Sequence, residues 1–175
     1  MRKLLSLFAL LLIFPLLAMA EDASALGVDV LSPIACGATA DGGTLDLYCG
    51  PTQGFYRHDN QTLDLGSPYV FFGQFDCWAM VAQGTPDAFG PVGWVESALL
   101  ETLPDMPELA FGNALAAMVE EDAPAVCDLQ SRECMFTLTH GTEVILLAQY
   151  GDMLYVQSEI DGLPARVFIP ANTVL

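Results

Sequence analysis

The sequence predicts an all-β protein built twice over, and three observations carry that prediction. Short apolar runs rich in branched and aromatic residues recur along the chain, each bounded by Gly, Pro, Asp or Asn. No stretch sustains a long helical period; Leu109 to Met118 is the best helix candidate, and Gly112-Asn113 weakens it. Finally, Gly93-Trp94-Val95-Glu96-Ser97-Ala98-Leu99-Leu100 and Val167-Phe168-Ile169-Pro170-Ala171-Asn172-Thr173-Val174 superpose position by position. Two segments that end alike point to a duplication.

The first element is a targeting signal. Arg2 and Lys3 precede an apolar run from Leu4 to Leu17, and Ala18-Met19-Ala20 offers a small-x-small cleavage site before Glu21-Asp22. That pattern is a secretory signal peptide cleaved after Ala20, which places the mature chain in a bacterial extracellular or cell-wall setting. Cleavage leaves 155 of the 175 residues, and no later run is long and apolar enough to span a bilayer. Without Arg2 and Lys3 the formal charge falls from −17 to −19; the mature chain has no Lys and three Arg, at 57, 132 and 166. Such a surface repels nucleic acid and anionic lipid and favours cationic partners.

Residues 21–32 read as a loose lead-in. Ile34 to Ala40 and Thr44 to Cys49 flank Asp41-Gly42-Gly43, the signature of a hairpin that would set Cys36 opposite Cys49. A loop carrying Phe55, Tyr56, Arg57 and His58 follows. Leu63 and Leu65 alternate with polar residues, then come strands over Tyr69 to Phe75 and Cys77 to Ala82. Residues 84–91 read as a loop, and Val92 to Val95 as a buried strand anchored by Leu99. Leu103 to Pro107 links residues 33–103 to residues 106–175. The second pass repeats the first: a hairpin from Leu115–Val119 and Pro124–Cys127 around Glu120-Glu121-Asp122, a short loop closed by Cys134, then strands over Met135–Leu138, Glu143–Gln149, Met153–Gln157 and Arg166–Ile169.

In order, Leu63-Asp64-Leu65-Gly66, Trp78-Ala79-Met80-Val81 and Gly93-Trp94-Val95 resemble the bacterial Src homology 3 (SH3-like) domain. The second half offers Leu138-Thr139-His140-Gly141-Thr142, Leu154-Tyr155-Val156 and Val167-Phe168-Ile169-Pro170, with Tyr155 and Phe168 standing where the pattern has Trp. The resemblance implies two tandem small β-barrels, each with an added N-terminal hairpin. It also implies a groove between the long loop and the last strands, where Tyr48, Phe55, Tyr56 and Trp94 would supply aromatic contact area. Trp78 is expected in the core.

The chemistry expected of such a chain is binding without catalysis. The length leaves no room for a papain-like domain, and His58 and His140 lie in loops. No cofactor is expected. No metal is expected either, because the Cys spacing lacks Cys-x-x-Cys pairs and the acidic turn lacks a calcium loop's spacing. The five Cys suggest disulfides between Cys36 and Cys49 and between Cys127 and Cys134, with Cys77 buried and free; Cys49 with Cys77 is the competing pairing. The expected partner is a peptide, a peptidoglycan fragment or a basic exported protein. A structural subunit of the envelope and a thiol-dependent wall hydrolase are the alternative classes.

Overall fold

A computed structural model describes residues 26–39, 42–100 and 107–174, with backbone alone at 59 and 60. The signal peptide and the first residues of the lead-in lie outside the described residues, as does most of the linker. The chain is all-β. Its strands are β1 (Asp29–Val30), β2 (Ile34–Cys36), β3 (Thr44–Tyr48), β4 (Arg57–Asp64), β5 (Tyr69–Phe75), β6 (Trp78–Thr85), β7 (Ala88–Glu96), β8 (Leu115–Met118), β9 (Ala123–Val126), β10 (Cys134–Leu138), β11 (Glu143–Tyr150), β12 (Met153–Ile160) and β13 (Leu163–Pro170). Among the described residues no helix is long and apolar enough to cross a membrane.

The duplication is written into the topology. One sheet runs β2-β5-β6-β7-β3-β4; the other runs β11-β12-β13-β9-β10 with β8 also on β11, so each half uses the same pairings. Each closes with a single 3-10 turn, Ser97–Leu99 after β7 and Ala171–Thr173 after β13. Register fixes the equivalences. Met80 faces Trp94 across β6–β7, and Tyr155 faces Phe168 across β12–β13. Tyr155 therefore stands at the place of Met80, and Met153, not Tyr155, at the place of Trp78.

Several expectations are corrected. Neither strand order closes into a barrel. The two leading hairpins do not form: β2 pairs with β5 and β3 with β4, and likewise β8 pairs with β11 and β9 with β10. The local turn signal at Gly42-Gly43 gave way to longer-range pairing, with β2 on the apolar β5 and β3 on β4. Cys36 consequently lies opposite Tyr69, far in register from Cys49. The loop expected over 84–91 is mostly strand, because β6 and β7 run on to the pair Thr85–Ala88 and turn over Pro86-Asp87. At the end of the first half the anchor is Leu100, buried, whereas Leu99 is 51% exposed. Leu109–Met118 contributes β8 and no helix.

Residues 26–32 of the lead-in are not loose, and they do something local sequence does not announce. β1 joins the second sheet, parallel to β11, with Leu31 N–H donating to Gln149 O at 2.8 Å. The segment before the second half does the reverse. Glu108 bridges Gln74 of β5 in parallel, and Leu109 N–H donates to Gln74 O at 2.7 Å. Gln74 and Gln149 are register equivalents. Each half thus lends its leading arm to the other half's sheet. Leu31 is buried and Leu109 packs on the same cluster.

That cluster is the core between the halves. Val70, Phe72, Trp78, Met80 and Trp94 meet Phe111, Leu147, Met153, Tyr155 and Phe168. Trp94 is 0% exposed, and its indole N–H donates to the Tyr155 hydroxyl at 2.7 Å. Burial of each large side chain there stabilises by about 1.5–3 kcal/mol, and the indole–phenol bond removes the penalty of two buried polar atoms. Smaller clusters fill each sheet's own core.

Candidate functional site

The backbone around Cys49 and Cys127 shows how the halves meet. Each cysteine directly follows an equivalent strand, β3 or β9, whose last residue lies opposite an aromatic of the closing strand: Tyr48 opposite Trp94 and Val126 opposite Phe168. Arg166 N–H of β13 donates to Cys49 O at 2.6 Å, and Val92 N–H of β7 donates to Cys127 O at 2.9 Å. These are reciprocal bonds between equivalent positions, the signature of a two-fold interface inside one chain. At such an axis a residue meets its own counterpart, and here the two counterparts are thiols.

A third group joins them. β4 carries four residues, 58–61, between Arg57 and Thr62, where β10 has only Met135 and Phe136 between the equivalent Cys134 and Thr137, and His58 opens that extra length. The ligand-capable atoms of Cys49, His58 and Cys127 all lie within 4.8 Å of one another, and all three residues are buried. His58 is 3% exposed, and its Nε2 meets no hydrogen-bond partner. The thiols are unequal. The hydrogen bond from Cys127 holds Cys49 well below the usual thiol range against the opposing effect of burial, with the His58 ring helping by hydrogen bond and charge. Burial, then the bond to Cys49, pushes Cys127 up.

The cluster borders a cleft of about 390 Å³ between the halves. Its lining includes the apolar or aromatic Tyr56, Phe136 and Ile160 and the acids Asp128, Glu133 and Asp161; no Lys or Arg lines it among the described residues. Asp128 also shapes its own turn by accepting from the N–H groups of Gln130 and Ser131. Cys134 sits exposed at the cleft's edge, its thiol donating to Phe136 O at 3.0 Å.

The aromatic residues singled out from sequence scatter. Trp94 is a core residue, closed to any ligand; this corrects its reading as a groove wall. Tyr48 packs edge-on against Trp78 at 5.6 Å. Phe55 lies against Gly50, where a Cβ would come within 1.9 Å of the ring, and under the Arg166 guanidinium at 5.4 Å. Arg166 is ringed by Phe55, Phe75, Trp94 and Phe111, and burial lowers its pKa. Tyr56 alone of the four reaches the cleft, held by its N–H on Pro164 O at 2.8 Å. Near these rings Asp46 pairs with Arg57, and Glu96 accepts from Gln53.

All five cysteines are free thiols. Cys36 is buried in the first sheet beside Tyr69, Cys77 is exposed where burial was expected, and Cys127 faces Cys49, not Cys134. Sequence reasoning missed the cluster because His58 and the cysteines come from both halves. The signal was present in the repeat: Cys49 and Cys127 occupy matched positions.

Compared with known protein families, curated proteins and solved structures, the chain matches none.

Proposed function

We propose that this chain is an exported, non-catalytic binding protein that recognises a cationic peptide or an amine-bearing cell-wall fragment in the cleft between its halves. The observation that carries this reading is the cleft's lining, which combines Tyr56, Phe136 and Ile160 with the acids Asp128, Glu133 and Asp161. Its volume lies in the range of small-ligand sites. The aromatic surface supplies contact area, and the carboxylates select charge and speed encounter. The repeated strand order, with a terminal 3-10 turn in each half, supports reading each half as a divergent SH3-like unit. The signal sequence supports export.

A hydrolase using Cys49 is disfavoured by geometry, since Cys49 is 1% exposed and does not line the cleft. The exposed Leu115, Met118 and Ile145 on β8 and β11 favour one second reading, a subunit of an envelope assembly docking through that edge.

The test is chemical-shift mapping of the mature protein titrated with basic peptides and muropeptides. Shifts should gather on Tyr56, Glu133 and Asp161 and shrink as salt rises. The double variant Glu133→Gln and Asp161→Asn, which keeps a residue tolerant of positive φ at 161, should weaken binding at least several-fold. Equal binding by that variant, or a stronger response to anionic polymers, overturns the reading.

A further inference from the structure

We propose that Cys49, His58 and Cys127 form a zinc site that rivets the two halves together at their pseudo-two-fold axis. The inference goes beyond ligand binding in the cleft and rests on different atoms, so either can fail alone.

The donor set is the first argument. Two thiolates and an imidazole suit a thiophilic d10 ion, and zinc takes such mixed sulfur–nitrogen sets in tetrahedral geometry. At Zn–S of about 2.3 Å and Zn–N of about 2.0–2.1 Å, tetrahedral ligand atoms stand roughly 3.4–3.8 Å apart. The three groups lie within 4.8 Å of one another, so side-chain shifts of about 1 Å close the site.

The second argument is an orphan. Buried polar atoms in folded proteins have partners, and His58 Nε2 has none despite the residue being 3% exposed. A disulfide between Cys49 and Cys127 would leave that nitrogen as it is. A metal ion taken by Nε2 together with both sulfurs would satisfy it.

The third argument is placement. His58 and Cys127 border the cleft while Cys49 closes the inner side, so three protein ligands leave the fourth tetrahedral position toward the cleft, for water or a ligand's donor atom. The extra length of β4 brings the only non-thiol ligand, which is why the axis carries one His and not two. Uptake replaces the thiol protons, releasing up to two per ion, and bonds first half to second.

The experiment uses the full exported chain. Purified protein is first mapped without reductant, then reduced under argon, stripped with chelator and titrated with Co²⁺ followed by Zn²⁺. One equivalent of Co²⁺ should give thiolate-to-cobalt charge transfer and the visible absorption of tetrahedral cobalt, and Zn²⁺ should bleach both. Zinc should raise the melting temperature and shield Cys49 and Cys127, but not Cys77 or Cys134, from alkylation as read by mass spectrometry. Loss of an outer-shell partner alone typically weakens a metal site about 10–100-fold, so Cys49→Ser, Cys127→Ser and His58→Gln should each weaken cobalt binding by at least about 100-fold. Cys134→Ser should bind as the parent does. If a variant fails to fold, the alkylation pattern of the parent still decides. Quantitative isolation of a Cys49–Cys127 disulfide, absence of tetrahedral cobalt in the reduced protein, full binding by a folded His58→Gln, or equal protection of Cys134 overturns the proposal.

Discussion

The two halves share a strand order and differ in what they place on it. Where the first half has Trp78, Met80 and Trp94, the second has Met153, Tyr155 and Phe168. Where the first has Tyr48 before its cysteine, the second has Val126. The exchange leaves most of the bulk at the shared core on the first half's side, and it moves the polar atoms. Trp94 brings a donor from one side and Tyr155 an acceptor from the other, a bond that two identical halves would not make in this form. Backbone pairing preserves the symmetry; side chains spend it on chemistry, most plainly at His58, which has no counterpart His in β10.

If the halves are interlocked units and not beads, separating them has the largest effect. Residues 26–103 and 106–174 expressed alone each lose the partner's arm and expose half of the shared core. Neither should show a cooperative thermal transition by circular dichroism, while the intact chain should. A cooperative melt of either fragment as a monomer breaks the comparison, because it would make that half self-sufficient.

The arms come next. Leu31→Ala should cost about 2–5 kcal/mol by denaturant unfolding, as expected for truncating a buried leucine, and Leu109→Ala less, because Leu109 is only partly buried. Equal and negligible losses would show that the exchanged arms are decoration.

The cross-axis bond is a smaller target. Tyr155→Phe leaves the Trp94 indole N–H buried without an acceptor and should cost about 1–3 kcal/mol. It should also change the alkaline limb. Burial raises the Tyr155 pKa above its unfolded value, so the native state keeps the phenol neutral. Stability is complete below the unfolded tyrosine value of about 10 and falls as pH rises toward the higher folded one. The part of that decline owed to Tyr155 should vanish in Tyr155→Phe.

The smallest effect separates the halves by charge. Among the described residues each carries one exposed ion pair, Arg57–Asp46 at 2.9 Å and Arg132–Asp152 at 2.8 Å. Arg57→Ala and Arg132→Ala should each cost no more than about 1 kcal/mol, and less still in high salt. A loss well above that from only one would mark an unequal rim.

The strands were legible because their cause is local. Tyr69–Phe75 is recovered in full from branched and aromatic density, and the turns at Gly151-Asp152 and Asp161-Gly162 follow from residues that accept positive φ. Partners were not legible. Gly42-Gly43 has the chemistry of a tight turn, yet β2 pairs with the apolar β5 and β3 with β4, not with each other. Trp94 looked like a groove ring because aromatic type says nothing about which face is covered, and here the other half covers it. The Cys49–Cys127 encounter depended on an axis, and an axis belongs to two matched segments together, not to either alone.

The crossed arms also set an order of events. Asp29 and Val30 are made ahead of nearly everything they touch, but their seat on Ala148 and Gln149 exists only after the second sheet has formed. So distant a pairing carries a heavy loop-closure cost and slows assembly. Until then the edge of β11 that β1 will cover stands open to any passing strand, a second molecule's arm included. Early in folding the chain therefore has a choice between closing on itself and joining hands with a neighbour, and concentration decides which happens first.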